Sequence, residues 1–196
     1  MKKLSTFLFL IFFSFQASSW ADDIRDFQIE GISIGDSLLD YFSESEIKEN
    51  SHDYYKNKTF TPFEIYKKPF FKDYEFVGAA YKTGDNNYII HEIKGVIEYP
   101  LYIKSCYKKM DEISKEISEI LEYVEGVKVK KERDSIVYGL EESNESIFSY
   151  DTYTFKSGDF ITVECYDYSE RTSMIDALQV SINTKEFGDF LLVAYK

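Results

Sequence analysis

Between residues 103 and 124 the apolar side chains Ile103, Cys106, Met110, Ile113, Ile117, Ile120 and Val124 recur at intervals of three and four. That spacing sets all seven on one stripe of an α-helix. The opposite face carries Lys108, Lys109, Glu112, Lys115, Glu116, Glu119 and Glu122, a solvated surface. Pro100 stops the segment before it, and Gly126 stands where a left-handed C-cap would end it. On both sides the chain alternates with period two, so the pattern predicts one long helix lying across an antiparallel sheet. Few βαβ units can be drawn. The expected class is therefore α+β: two meanders of antiparallel strands packed against one long amphipathic helix, with short helices near the N-terminus.

The strands follow from alternation and turn chemistry. Residues 27–30 read as a first strand. Gly35 makes a turn into a short helix at 37–42 capped by Asp36 or Ser37, and Ser43 with Glu46 forms a capping box for a second helical turn through Asn50. Residues 52–58 read as loop and 63–66 as strand. A hairpin joins 74–82 to 88–99 across Thr83-Gly84-Asp85-Asn86-Asn87. In its second strand Ile89, His91, Ile93, Gly95, Ile97 and Tyr99 share one face, with Glu92, Lys94 and Glu98 on the other beside Ile90 and Val96. After the helix, 127–131 and 135–138 read as short strands and 140–145 as an acidic loop. A second meander pairs 147–156 with 160–166 across Ser157-Gly158-Asp159, and 177–183 with 190–195 across 184–189, where Gly188 is available for a positive φ.

The first residues read as a targeting signal. Met1-Lys2-Lys3 is basic, 4–15 is apolar, and Ser19-Trp20-Ala21 is a small-x-small cleavage site. The apolar run is too short to remain across a bilayer. The expected organisation is a signal at 1–21 followed by one α+β domain at 22–196. Removal of the signal takes two lysines and no acid, so the formal net charge of −12 becomes two units more negative. Such a charge disfavours nucleic acid and anionic membrane surfaces, and no stable membrane insertion is expected once the signal is gone. Trp20 is the chain's one tryptophan, so the processed protein is expected to show tyrosine emission alone.

Cys106 and Cys165 are the two thiols of a chain expected to meet an oxidising compartment. Cys106 lies on the apolar helix stripe and Cys165 shares the face of Ile161 and Val163. Both point to the same core, so a helix-to-sheet disulfide is expected. There is no Cys-x-x-Cys.

Catalytic constellations are sparse. Gly35-Asp36-Ser37-Leu38 resembles the block that names the GDSL (SGNH) esterases, and Gly84-Asp85-Asn86 resembles a later block of that family. The resemblance fails on chemistry. A serine nucleophile needs a base within hydrogen-bond reach, which that family takes from an Asp-x-x-His near the C-terminus, and here no histidine follows His91. Helix capping and a glycine turn explain the block equally well. His91 stands alone on an apolar strand face, and His52 has no ligand partner at zinc spacing. The acids at 85–87 and 141–145 lack the spacing of a calcium loop. No catalytic residue, metal ligand or cofactor is therefore expected. The 17 tyrosines suit a sheet with one wet face, and they also suit a binding surface.

Residues 29–42 and 88–106 resemble uncharacterised small exported proteins of AT-rich marine bacteria. That resemblance implies export and implies no activity. The expectation is a periplasmic or secreted protein, a non-enzymatic binding or envelope-associated module with a protein or small-molecule partner. The alternative is a hydrolase whose carboxylates cannot be recognised from sequence. An exposed Tyr/Phe patch or an unpaired strand edge would favour the first, and a deep pocket with two carboxylates in unlike surroundings the second.

Overall fold

The computed structural model describes residues 24–122, 130–138 and 146–195. The expected signal at 1–21, Val124, the Gly126 cap and the acidic loop at 140–145 lie outside the described residues.

Seven antiparallel strands form one sheet: β1 (Phe60–Tyr66), β2 (Phe76–Lys82), β3 (Ile90–Glu98), β4 (Lys130–Tyr138), β5 (Ser146–Thr154), β6 (Phe160–Asp167) and β7 (Ala177–Asn183). Their order is β1-β2-β3-β7-β6-β5-β4. Each meander ends at the centre, where β3 and β7 pair from Glu92 opposite Asn183 to Glu98 opposite Ala177. The α+β class and the two meanders expected from the sequence are what the chain adopts. Of the expected short strands at 127–131 and 135–138, residues 130–131 and 135–138 lie in one continuous β4, and 127–129 lie outside the described residues. The expected strand at 27–30 is only an isolated bridge between Ile29 and Ile32.

Helix α2 (Ile103–Glu122) crosses the face of β6 and β7. It buries Cys106, Met110, Ser114, Ile117 and Leu121, so the buried stripe is rotated slightly from the expected one: Ser114 and Leu121 replace Ile113 and Ile120, which are half-buried. Each of Met110, Ile117 and Leu121 contributes about 1.5–3 kcal/mol through burial. Beneath them lie Ile161, Val163, Leu178, Val180 and Ile182, and the same cluster extends to Phe63, Val77, Ile93 and the N-terminal Ile29, Ile32 and Leu38. A disulfide joins Cys106 to Cys165, with Cα atoms 6.0 Å apart and a sequence separation of 59. Arg133 of β4 clips the far end: its Nε and Nη2 donate to the two Asp151 oxygens at 2.6 and 2.7 Å, and Nη2 also donates to Asp111 of α2 at 2.7 Å.

The capping box is present. The Ser43 side chain accepts from Glu46 N, and the Glu46 side chain accepts from Ser43 N, at the start of α1 (Glu44–Glu49). The last segment differs from expectation. Residues 185–191 form helix α3 (Lys185–Leu191), capped by Thr184, whose side chain accepts from Phe187 N. Phe187, Phe190 and Ala194 then fall on one stripe and pack with Tyr55, Phe60 and Ala80 on the sheet face opposite α2. Period 3.6 wins over period two because that second apolar cluster needs a helix to close it. Gly188 serves close approach rather than a positive φ, since a Cβ there would lie 2.5 Å from Phe160 Cε1. Among the described residues no helix is long and apolar enough to cross a membrane.

Candidate functional site

Alternate residues of the strands that build the core face the other way, and their register sorts them into rows. One row runs Glu64, Gly78, Lys94, Ser181, Thr162 across β1, β2, β3, β7 and β6. The row on one side runs Pro62, Ala80, Glu92, Asn183, Phe160, and the row on the other runs Tyr66, Phe76, Val96, Gln179, Glu164. Helix α3 and Tyr55 cover the Phe60–Ala80 corner. Beyond that corner this face carries charged and hydroxylic side chains, with Phe76 and Val96 at one end of β2 and β3.

Lys94 is the pivot. Its Nζ donates to Glu64 Oε1 at 3.0 Å, two strands away, because the intervening residue is glycine. A Cβ on Gly78 would sit 2.3 Å from Lys94 Cε and 2.9 Å from its Cγ, so the lysine stem lies flat over β2. Burial alone would pull the Lys94 ammonium down, but Glu92 and Glu64 hold it above its usual value. Glu64 also accepts from the Tyr54 hydroxyl at 3.3 Å.

Two further carboxylates remain. Glu164 Oε2 accepts from the Tyr166 hydroxyl at 2.6 Å and from Gln179 Nε2 at 2.9 Å, and no described residue donates to its other oxygen. Glu92 is only 8% exposed. Among the described residues none donates a hydrogen bond to its carboxylate and no cation lies within 4.0 Å of it, since the nearby Lys94 is committed to Glu64. Burial pushes the Glu92 carboxyl up, opposed by Lys94 and reinforced by Glu164 and Glu64. Burial likewise raises Glu164, against its two hydrogen bonds and Lys94.

Tyrosines bank the site on both sides. Tyr54 and Tyr55 meet at a centroid distance of 4.8 Å, and Tyr195 stands edge-on to Tyr55 at 5.5 Å. Opposite them Tyr166 and Tyr168 stack at 5.9 Å with an interplanar angle of 11°, both edge-on to Phe148. Burial raises the Tyr54, Tyr55 and Tyr166 hydroxyls, which stay protonated as donors. Tyr54 and Tyr195 are 43% and 59% exposed, so one bank opens to solvent.

The residues weighed from sequence take other places. Ser37 Oγ accepts from Leu39 N at 3.2 Å and donates to Asn87 O at 2.5 Å, as the cap of a 3-10 turn at Leu38–Asp40. Gly35 carries φ +89° at the turn. His91 is not on the face of Ile93. A bulge lets Tyr81 pair with Ile90 while Ala80 pairs with Glu92, so Ile90 enters the main core and His91 packs edge-on against Phe60 at 5.1 Å. Its Nδ1 lies 3.4 Å from Thr184 Oγ1 and 3.7 Å from Glu186 Oε2, and burial pulls it below its ordinary value. Among the described residues no three His, Cys, Asp or Glu side chains converge as a metal site. Glu64, Glu92 and Glu164 did not stand out from the 35 acids in the sequence. A signal was present in Glu92 and Lys94, charges at mid-strand positions opposite a core face.

The fold and the site define an α+β protein whose sheet is sealed by a helix on one face and carries a tyrosine-banked carboxylate cluster on the other. No protein-family model, curated protein or solved structure matches the chain.

Proposed function

We propose that this is an exported, non-enzymatic binding module of the bacterial periplasm, and that the sheet face away from α2, exposed along its Tyr54 and Tyr195 bank, is its binding surface. The observation that carries this reading is Glu92, a residue more than nine-tenths buried that receives no hydrogen bond from any described residue and is opposed in charge by Lys94, whose ion pair is with Glu64. Burying a carboxylate without a hydrogen-bond donor is unfavourable, and such groups gather at functional sites. The exposed tyrosines alongside supply apolar contact and hydroxyl donors, as binding surfaces do. Export accords with the disulfide and with the N-terminal pattern of basic, apolar and small residues.

The test is an amide-shift NMR titration of the purified protein with the small-molecule fraction of a periplasmic extract. Shifts are expected to gather at 54–55, 92–94 and 164–168 and to vanish in Glu92→Gln. Shifts elsewhere, or none, would overturn the assignment of this face. Recovery of the protein in the cytosol, with its first 21 residues intact by mass, would overturn export.

A further inference from the structure

The outward stripe of α3 changes character along its length. At intervals of three and four it reads Lys185, Glu186 and Asp189, all exposed and charged, and then Leu192 and Val193. The inward stripe of Phe187, Phe190 and Ala194 is already packed with Tyr55, Phe60 and Ala80. Helical turns run on past Leu191, since Leu192 keeps an αR backbone and Val193 N donates to Phe190 O at 2.9 Å. The last turn is therefore apolar on both sides, and the fold covers one of them. A helix apolar all round belongs in surroundings that bury it on every side.

The uncovered side is one patch. Asn57 N donates to Ala194 O at 3.0 Å and holds residues 52–58 against this turn. Tyr195 and Tyr54 both stand against Tyr55, at 5.5 and 4.8 Å. At 72, 41, 40, 59 and 43% exposure, Leu192, Val193, Leu191, Tyr195 and Tyr54 offer roughly 500 Å² of surface, near the upper end of what a monomer leaves in one patch.

Charge decides what fits it. Residues 52–58 and 185–195 carry Lys56, Lys58 and Lys185 against Asp53, Glu186 and Asp189, an even balance in a chain of net charge −12. Lys58 pairs with Asp53 and Lys185 with Asp189, within the rim itself. An anionic bilayer selects a cationic rim, and a basic partner selects an acidic one. This rim offers neither. A second copy needs no charge difference. A two-fold axis sets a patch against itself, apolar on apolar, and a neutral rim lets two acidic chains approach there with least repulsion.

We propose that the outer side of the last turn of α3, centred on Leu192 and Val193, is a two-fold contact with a second copy of this chain. Tyr54 and Tyr195 sit where it meets the proposed binding face, but the contact turns on α3 and stands whether or not that face takes a ligand. Two facing patches bury about 1,000 Å², the threshold for a specific interface, so the dimer is weak and reversible, with a Kd on the order of 10–100 µM.

The experiment is sedimentation equilibrium of the purified protein from about 10 µM to about 1 mM, a range that brackets that Kd. The weight-average mass should climb toward twice the monomer. The climb should be steeper in high salt, because salt screens repulsion between like-charged chains and leaves apolar burial intact. Leu192→Gln and Val193→Thr each keep the charge and alter an exposed side chain, and each should weaken association about tenfold with the amide spectrum retained. Leu101→Gln is the control: Leu101 is 79% exposed and follows the Glu98 end of β3, away from α3, so association should be unchanged. A monomer at every concentration would overturn the contact, and so would association that salt weakens. Loss of association in Leu101→Gln with none in Leu192→Gln would overturn the surface. A monomer that instead floats with phosphatidylcholine vesicles, and stops doing so in Leu192→Gln, would overturn the second copy as occupant. The titration with periplasmic extract reads 92–94 and 164–168, so failure of the ligand reading shows separately.

Discussion

Two buried carboxylates on opposite faces of one sheet meet opposite fates. Asp151 faces α2, is wholly buried and receives two hydrogen bonds from the Arg133 guanidinium, which also reaches Asp111 on the helix. Glu92 faces the other way, is 8% exposed, and has no described donor or cation of its own. The first ties β4 and β5 to the helix. The second receives no described hydrogen bond, and the lysine that opposes its charge is bonded to Glu64. Where a charge is completed by its own chain it belongs to the architecture, and where it is left without a described donor it marks the face to test for binding. Substitutions on the α2 face should therefore cost stability and spare binding, and those on the open face should do the reverse.

The largest effect tests the sealed face. Replacing both Cys106 and Cys165 by alanine opens a 59-residue loop and should lower stability by about 4 kcal/mol in the chain-entropy account, read by urea denaturation. Binding at the open face should persist in whatever fraction stays folded. Next comes Arg133→Leu, which takes the guanidinium from Asp151. The arginine is half exposed, so the loss is discounted for solvent, to about 2–3 kcal/mol. A loss below experimental error would dissolve the contrast between the two carboxylates.

Glu92→Gln should move stability the other way, by about 1 kcal/mol or less at neutral pH. The sign follows from the raised Glu92 carboxyl. As pH climbs past the ordinary 4.5, the unfolded chain gives up this proton before the folded chain does, and stability falls. The folded group is faced by Glu64, Lys94 and Glu164, and Glu164 is raised too, so it steepens the same decline. Melting curves from pH 4 to 8 should show the variant gaining on the wild type as pH rises. A constant difference would mean that Glu92 titrates as an ordinary acid.

How much of this was legible in the chain depends on how local the signal was. The α2 stripe, the Ser43–Glu46 capping box, the hairpin glycines Gly84 and Gly158 at positive φ, and the two cysteines aimed at one core are all written within a few residues. Helix α3 was misread because Phe187, Phe190 and Ala194 make a helical stripe only against Tyr55 and Phe60, far away in sequence. The bulge at Ile90 and His91 also depends on a partner strand. The site was the least legible part. Its acids come singly from β1, β3 and β6 and are brought to one face by the β3–β7 pairing, which no neighbouring residues announce.

The smallest expected stability change is the sharpest probe of the comparison. Gly78→Ala puts a methyl where the Lys94 stem now runs, 2.3 Å from Cε, and the flexible lysine moves rather than the backbone. Its ion pair with Glu64 should break, and Glu92, which already interacts with Lys94 electrostatically, is a carboxylate it can turn to. One pair is exchanged for another, so the net loss should stay under about 1 kcal/mol. Binding should nevertheless weaken, because the lysine then sits against the carboxylate on which the proposed binding surface turns. Glu92 would become like Asp151, a charge completed by its own chain, and the pH-dependent loss of stability should shrink with it. Unchanged binding in Gly78→Ala would mean that the glycine merely accommodates a lysine, and that the open carboxylate owes nothing to where that lysine is held.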